Sequence, residues 1–263
     1  MDLGLKDRVA LVCGASQGLG KAVALGLARE GARLAICSRN KANILRAAAE
    51  IAQSTGVEIK GISADLSRTE EAVRFFKEAL GHFGRVDILV TNAGGPPSLP
   101  FDEISDNHWR SAFDLTLMSA VTLIREVLPV MQARRFGRII NLTSVAVKQP
   151  IDGLILSNTL RAGLIGLAKT LSNTYASENI LINNVCPGYT LTERVSELSK
   201  VVAGRQGIDP EKVIREWESQ IPLGRLGRPE ELADLVVFLA SERAGYITGV
   251  TIQVDGGYFK GLM

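Results

Sequence analysis

At 263 residues and 46% hydrophobic content the chain can bury a sizeable core, and no Pro- or Ser-rich linker or shift of composition divides it, so a single domain is expected. Its 30 basic and 28 acidic residues are too evenly balanced for a nucleic-acid or anionic-membrane partner. No apolar run is long enough to span a bilayer, and Asp2, Lys6, Asp7 and Arg8 leave no signal-peptide core, so a cytoplasmic location is the expectation. Cys13, Cys37 and Cys186 are odd in number and make no disulfide framework, and His82 and His108 lie far apart, so no metal site is expected.

The first predicted strand, 9–12, runs directly into CGASQGLG and then into helix-forming KAVALGLAREG. Gly14, Gly18 and Gly20 let the backbone turn tightly and approach a phosphate, with Ser16, Gln17 and Leu19 between them. The free N–H groups and the dipole of the following helix favour an anion at the same place. A second apolar run, 33–37, completes a β-α-β unit. After it comes Ser38-Arg39-Asn40, where a carboxylate would accept hydrogen bonds from an adenine ribose. A guanidinium there suits a 2′-phosphate, so NADP(H) is preferred and NAD(H) remains possible.

Further strand-like runs fall at 57–62, 86–90, 138–142, 180–185 and 250–254, with helical segments between them. Ser67 and Glu70 form a capping-box pattern ahead of AVRFFKEAL, and Pro229 with Glu230 and Glu231 suits the first turn of ELADLVVFLAS. Long helices are expected over 106–133 and 154–177, and two short amphipathic ones within 193–222. Alternating strands and helices predict a doubly wound parallel α/β sheet with helices on both faces and its ligand at the carboxyl ends of the strands. Asp65-Leu66 after the third strand can flank an adenine, and Asn92-Ala93-Gly94 after the fourth lets a flat cofactor lie close.

These residues, together with RIINLTS ending in Ser144, CPGYTLT and YITGVTIQVDGG, resemble the short-chain dehydrogenases/reductases, especially the β-ketoacyl-carrier-protein-reductase-like members, over essentially the whole chain. The resemblance implies a seven-stranded Rossmann fold, a nicotinamide cofactor, a carbonyl or alcohol substrate and a homotetramer or homodimer. It places Pro187, Gly188, Thr190 and Thr192 against the carboxamide and makes 193–222 a substrate lid. Ser144 matches the family's serine.

Two departures stand out. The family's Tyr-x-x-x-Lys positions fall on Ser157 and Arg161, and its helical asparagine on Thr116. An aliphatic hydroxyl is a far weaker acid than a tyrosine, and arginine keeps its proton, so Arg161 is expected to hold the nicotinamide ribose and supply charge rather than relay a proton. The remaining proton sources are a water held by Ser144 and Ser157, Tyr189, or Lys148. The same departures also fit a dinucleotide-binding homologue without hydride transfer, serving as a sensor, regulatory subunit or scaffold.

Overall fold

The computed structural model describes residues 2–262. Seven parallel strands form one sheet in the order β3-β2-β1-β4-β5-β6-β7. They are β1 (Val9–Val12), β2 (Arg33–Ser38), β3 (Ile59–Ser63), β4 (Ile88–Thr91), β5 (Gly137–Leu142), β6 (Ile180–Pro187) and β7 (Thr251–Val254). The central strands β1, β4 and β5 are buried throughout, as a sheet covered on both faces requires. Their side chains alternate between two cores. Ala10, Val12, Leu34 and Ile36 meet α1 (Gly18–Arg29), α2 (Lys41–Thr55) and α9 (Pro229–Ala240). Val9, Leu11, Ala35 and Leu89 meet α3 (Thr69–Phe83), α5 (Ser119–Arg134) and α6 (Ile155–Tyr175) on the other face. Strand order reverses between β1 and β4, which opens a crevice at their carboxyl ends.

β4 begins later than its apolar run suggests because Asp87 is used otherwise. Its fully buried carboxylate accepts from Val9 N at 2.8 Å and from Arg85 Nε at 2.7 Å, with Arg8 Nη1 at 3.6 Å. The capping pattern read at Ser67 and Glu70 is not formed. Asp65 claims the Ser67 hydroxyl at 2.7 Å, the helix starts one residue beyond Arg68, and Glu71, not Glu70, reaches back to accept from Asp65 N. At α9, Pro229 takes the first position and Glu231 accepts from Arg228 N at 2.7 Å, as read.

The expected helix over 106–133 is two helices in line. α4 (Asp106–Phe113) and α5 are joined by a π turn, Asp114–Met118, that holds Thr116. One extra residue in a turn frees a backbone group and shifts side chains on either side, and such turns gather near functional sites. Within 193–222 lie α7 (Glu193–Gln206) and α8 (Pro210–Gln220). Thr192 caps α7 through Val195 N, Asp209 caps α8 through Glu211 N, and both helices pack their apolar faces into a third core with Val145, Leu226 and Tyr258.

Candidate active site

The turn after β1 is held from three sides. Cys13 N donates to Val90 O and Ala15 N to Cys37 O, both at 3.0 Å, which ties it to the strands on either side. Asn92 Nδ2 donates to Cys13 O at 3.3 Å and Gly14 O at 3.2 Å. Gly14 and Gly18 adopt positive φ, at 57° and 55°, and a Cβ on Gly20 would strike the Gly14 carbonyl. These glycines are therefore required by geometry. α1 starts with Gln17 at the N-cap, no side-chain cap and no acid in its first turn, so its N–H groups are left for an anion.

From this turn a cleft of about 290 Å³ runs across the carboxyl ends of β4, β5 and β6. Gly14, Gln17, Gly18 and Leu19 line one end, and Asn92, Ala93 and Gly94 line the floor. Ser144, Ser157 and Arg161 face Pro187, Gly188, Thr190 and Thr192. Gly188 is fixed by close approach, since a Cβ there would stand 2.7 Å from the Asp255 side chain.

Ser157 and Arg161 stand one turn apart on α6. Arg161 Nε donates to Ser157 Oγ at 3.1 Å, and Nη1 donates to Leu142 O and Thr143 O at 3.1 Å each. Nη2 reaches Ala93 O at 3.5 Å. Burial, and then the neighbouring Arg194 charge, lower the guanidinium's pKa to about 10, so it stays charged at neutral pH. Ser144 Oγ accepts from Ala146 N at 3.1 Å. Both serine oxygens thus accept from protein N–H groups, and both O–H protons remain free for a ligand.

Neither other proton source is well placed. Tyr189 stacks on Trp217 with centroids 4.6 Å apart and meets Tyr258 edge-on at 5.4 Å, and burial pushes its hydroxyl well above the usual tyrosine range. Lys148 donates to Gln253 Oε1 at 2.8 Å and is not on the cleft wall.

Thr116 also lies off the cleft. Its hydroxyl is buried without a partner in a small separate cavity behind Arg161, which Leu66 and Asn92 also border. Ser16, Gly20, Ser38, Arg39, Asn40, Asp65 and Leu66 do not line the main cleft. Gly20 shapes the turn, Ser38 ends β2, and residues 39–40 and 65–66 follow β2 and β3 on the far side of the switch point. There Asn40 caps α2 through Asn43 N at 3.0 Å, and the Asp65 carboxylate accepts from Ser67. Arg39 is exposed.

Sequence reading missed Glu193 and Arg194. The Glu193 carboxylate stands 3.6 Å from where a Gly18 Cβ would be, over the anion end of the cleft, and Arg194 Nη2 donates across to Pro96 O at 2.9 Å. Both follow the cap residue Thr192, but nothing in the sequence says toward which side a helix's first turn faces.

A family model described as enoyl-(acyl carrier protein) reductase matches residues 14–259. The chain belongs to the short-chain dehydrogenase/reductase family. Among the relatives of this short-chain oxidoreductase, the 3-oxoacyl-(acyl-carrier-protein) reductase FabG of Aquifex aeolicus is 35% identical over 98% of the chain and 100% of its own length. The oxidoreductase YvrD of Bacillus subtilis is 34% identical over 100% of both. The structure of L-sorbose reductase from Gluconobacter frateurii, complexed with NADPH and L-sorbose, superposes with a TM-score of 0.95 at 34% identity over 100% of both chains.

Proposed function

We propose that this short-chain oxidoreductase is NADP(H)-dependent and acts on a carbonyl/alcohol pair, with two serine hydroxyls backed by a buried guanidinium in place of a tyrosine acid. The observation that carries the reading is the Arg161–Ser157 hydrogen bond beside Ser144 on the wall of the dinucleotide cleft. The residues present fit the cofactor. The uncapped start of α1 and the positive-φ glycines suit its diphosphate, the Asn92–Gly94 floor and Thr190 suit its nicotinamide end, and exposed Arg39 suits a 2′-phosphate. When bound it supplies or accepts the hydride. The L-sorbose reductase relative carries NADPH, which supports the same choice.

In the reduction direction negative charge grows on the carbonyl oxygen. Ser144 and Ser157 each donate an O–H to it, and the guanidinium hydrogen-bonded to Ser157 Oγ makes that hydroxyl a stronger donor and places a positive charge next to it. The alkoxide then takes its proton through a serine hydroxyl, which in turn takes one from a water, and the hydroxide left is neutralised by a proton from solvent, so one solvent proton is consumed per turnover. Arg161 holds charge and position and does not exchange its proton. The segment 193–222 forms the substrate lid in this reading. The reading also includes a cytoplasmic location and a homotetramer or homodimer, and among the described residues no helix is long and apolar enough to cross a membrane.

The test is NADPH binding by calorimetry followed by NADPH oxidation with a panel of ketones. Binding with turnover that Ser157→Ala suppresses supports the assignment. Binding without turnover by the natural chain, and turnover only in Ser157→Tyr/Arg161→Lys, would identify a dinucleotide-binding homologue instead.

A further inference from the structure

Three charged side chains sit on the wall of the cleft: Arg161, Glu193 and Arg194. The acid stands beside Gly18, at the diphosphate end. Arg8, Arg74, Arg85 and Arg225 pair with carboxylates, whereas among the described residues neither Arg161 nor Arg194 has one within 4.0 Å. The substrate end of the cleft therefore carries two positive charges close enough to repel one another, without a counter-ion. Around them the wall is apolar, with Val145, Ile151, Leu154, Val195 and Leu198, and Arg194 stands exposed at its edge where a ligand can reach it.

The position of Arg194 is built. Its guanidinium lies across Gly95, where a Cβ would stand 2.9 Å from Nη2 and 3.1 Å from Nε, and Nη2 is tied to Pro96 O. Further along the same helix, Arg205 Nη2 donates to Ser98 O at 2.5 Å, which steadies α7 over the loop after β4. Among the described groups no partner is found for Arg194 Nε and Nη1. Arg161 spends its donors on Ser157 and backbone carbonyls, so Arg194 is the guanidinium with a free edge.

We infer that the substrate carries an anionic group, a carboxylate on a small ketone, and that Arg194 is the residue that selects it by a forked guanidinium contact. This rests on the reductase reading above. Because the cofactor's phosphates are anions too, the experiment separates the two sources.

The probes are acetoacetate and methyl acetoacetate, which share the ketone and differ in charge. Both are tested for turnover with NADPH and, by calorimetry, for binding to the protein saturated with NADP⁺. The natural chain is expected to favour the acid over the ester by about tenfold or more in kcat/KM, and Arg194→Gln to erase the preference with the NADPH Kd within about twofold. Gly95→Ala, which keeps the charge but displaces the guanidinium, is expected to lose the preference as well. A natural chain that favours the ester, or an Arg194→Gln variant that weakens both probes equally, overturns the inference. An NADPH Kd raised about tenfold in that variant reassigns Arg194 to a cofactor phosphate and also overturns it. Arg194-dependent binding of the acid without turnover would uphold the anion site while sinking the reductase reading. NADPH binding with neither probe bound would sink the anion site alone.

Discussion

Arg161 donates Nε–H to the Ser157 hydroxyl at 3.1 Å, one helical turn away, and gives its other donors to the carbonyls that end β4 and β5. A buried charge is tolerated only when it is hydrogen-bonded, and here the exposed ends of two strands supply the acceptors. The same arrangement sets the chemistry, because it polarises a serine in a cleft where the one tyrosine is stacked on Trp217 and meets Tyr258 edge-on.

Ser157→Ala removes one of two donors to the developing oxyanion. Its kcat is expected to fall about 10²-fold, with the NADPH Kd little changed. The stranded Arg161 Nε should also cost about 1–3 kcal/mol of stability, read by urea unfolding. Unchanged turnover would mean that the carbonyl oxygen is held elsewhere.

Arg39→Ala is expected to weaken NADPH binding by about tenfold or more and to leave NADH binding unaltered, since a charge-assisted contact to phosphate is lost. Calorimetry with both nucleotides checks it. Equal affinities in the natural chain would remove the phosphate argument.

The Glu193 carboxylate stands near Gly18 at the positive end of α1, where the diphosphate is to sit. Glu193→Gln is expected to tighten NADPH binding about threefold to tenfold by removing a like charge. The gain should shrink as salt is raised. Weaker binding in the variant would show that the carboxylate assists the cofactor.

The pH dependence follows from Arg161. Its folded pKa, lowered to about 10 by burial and the Arg194 charge, stays far above neutrality, so the charge that stabilises the alkoxide is present throughout the working pH range. Tyr189 is pushed the other way and stays protonated. With the chemical step limiting, kcat is expected to vary by no more than about twofold from pH 6 to pH 9. A bell centred near neutrality would point to a titrating acid in the cleft.

Gly20→Ala puts a Cβ against the Gly14 backbone, with the carbonyl carbon only 2.8 Å away. The turn must open, at a cost of about 1–3 kcal/mol, and NADPH binding should be lost with it. Thermal unfolding and calorimetry report the two effects separately. Full binding in this variant would show that the turn is not the diphosphate site.

The sequence by itself determined the sheet, the glycine turn and the order of the motifs. Strand runs of buried β-branched residues and glycines at fixed offsets are local signals, and each strand's carboxyl end follows from the alternation of strands and helices. The resemblance to the family marked Ser157 and Arg161 as departures, because counting from Ser144 puts them at the family's Tyr and Lys positions.

Where the signal was shared between alternatives, only the tertiary structure decided. Ser67 had a helix end and an Asp65 turn competing for one hydroxyl, and the turn took it. Thr116 lies in a π turn and is buried behind Arg161, and no residue pattern announces such a turn. Tyr189 left the set of acids once Trp217 and Tyr258 closed on it, and Glu193 and Arg194 joined the cleft once α7 folded over it. The closing of Trp217 and Tyr258 on Tyr189, and of α7 over the cleft, are contacts between segments far apart in the chain, and a side chain's protonation and direction there are set by what surrounds it in space rather than by its neighbours in sequence.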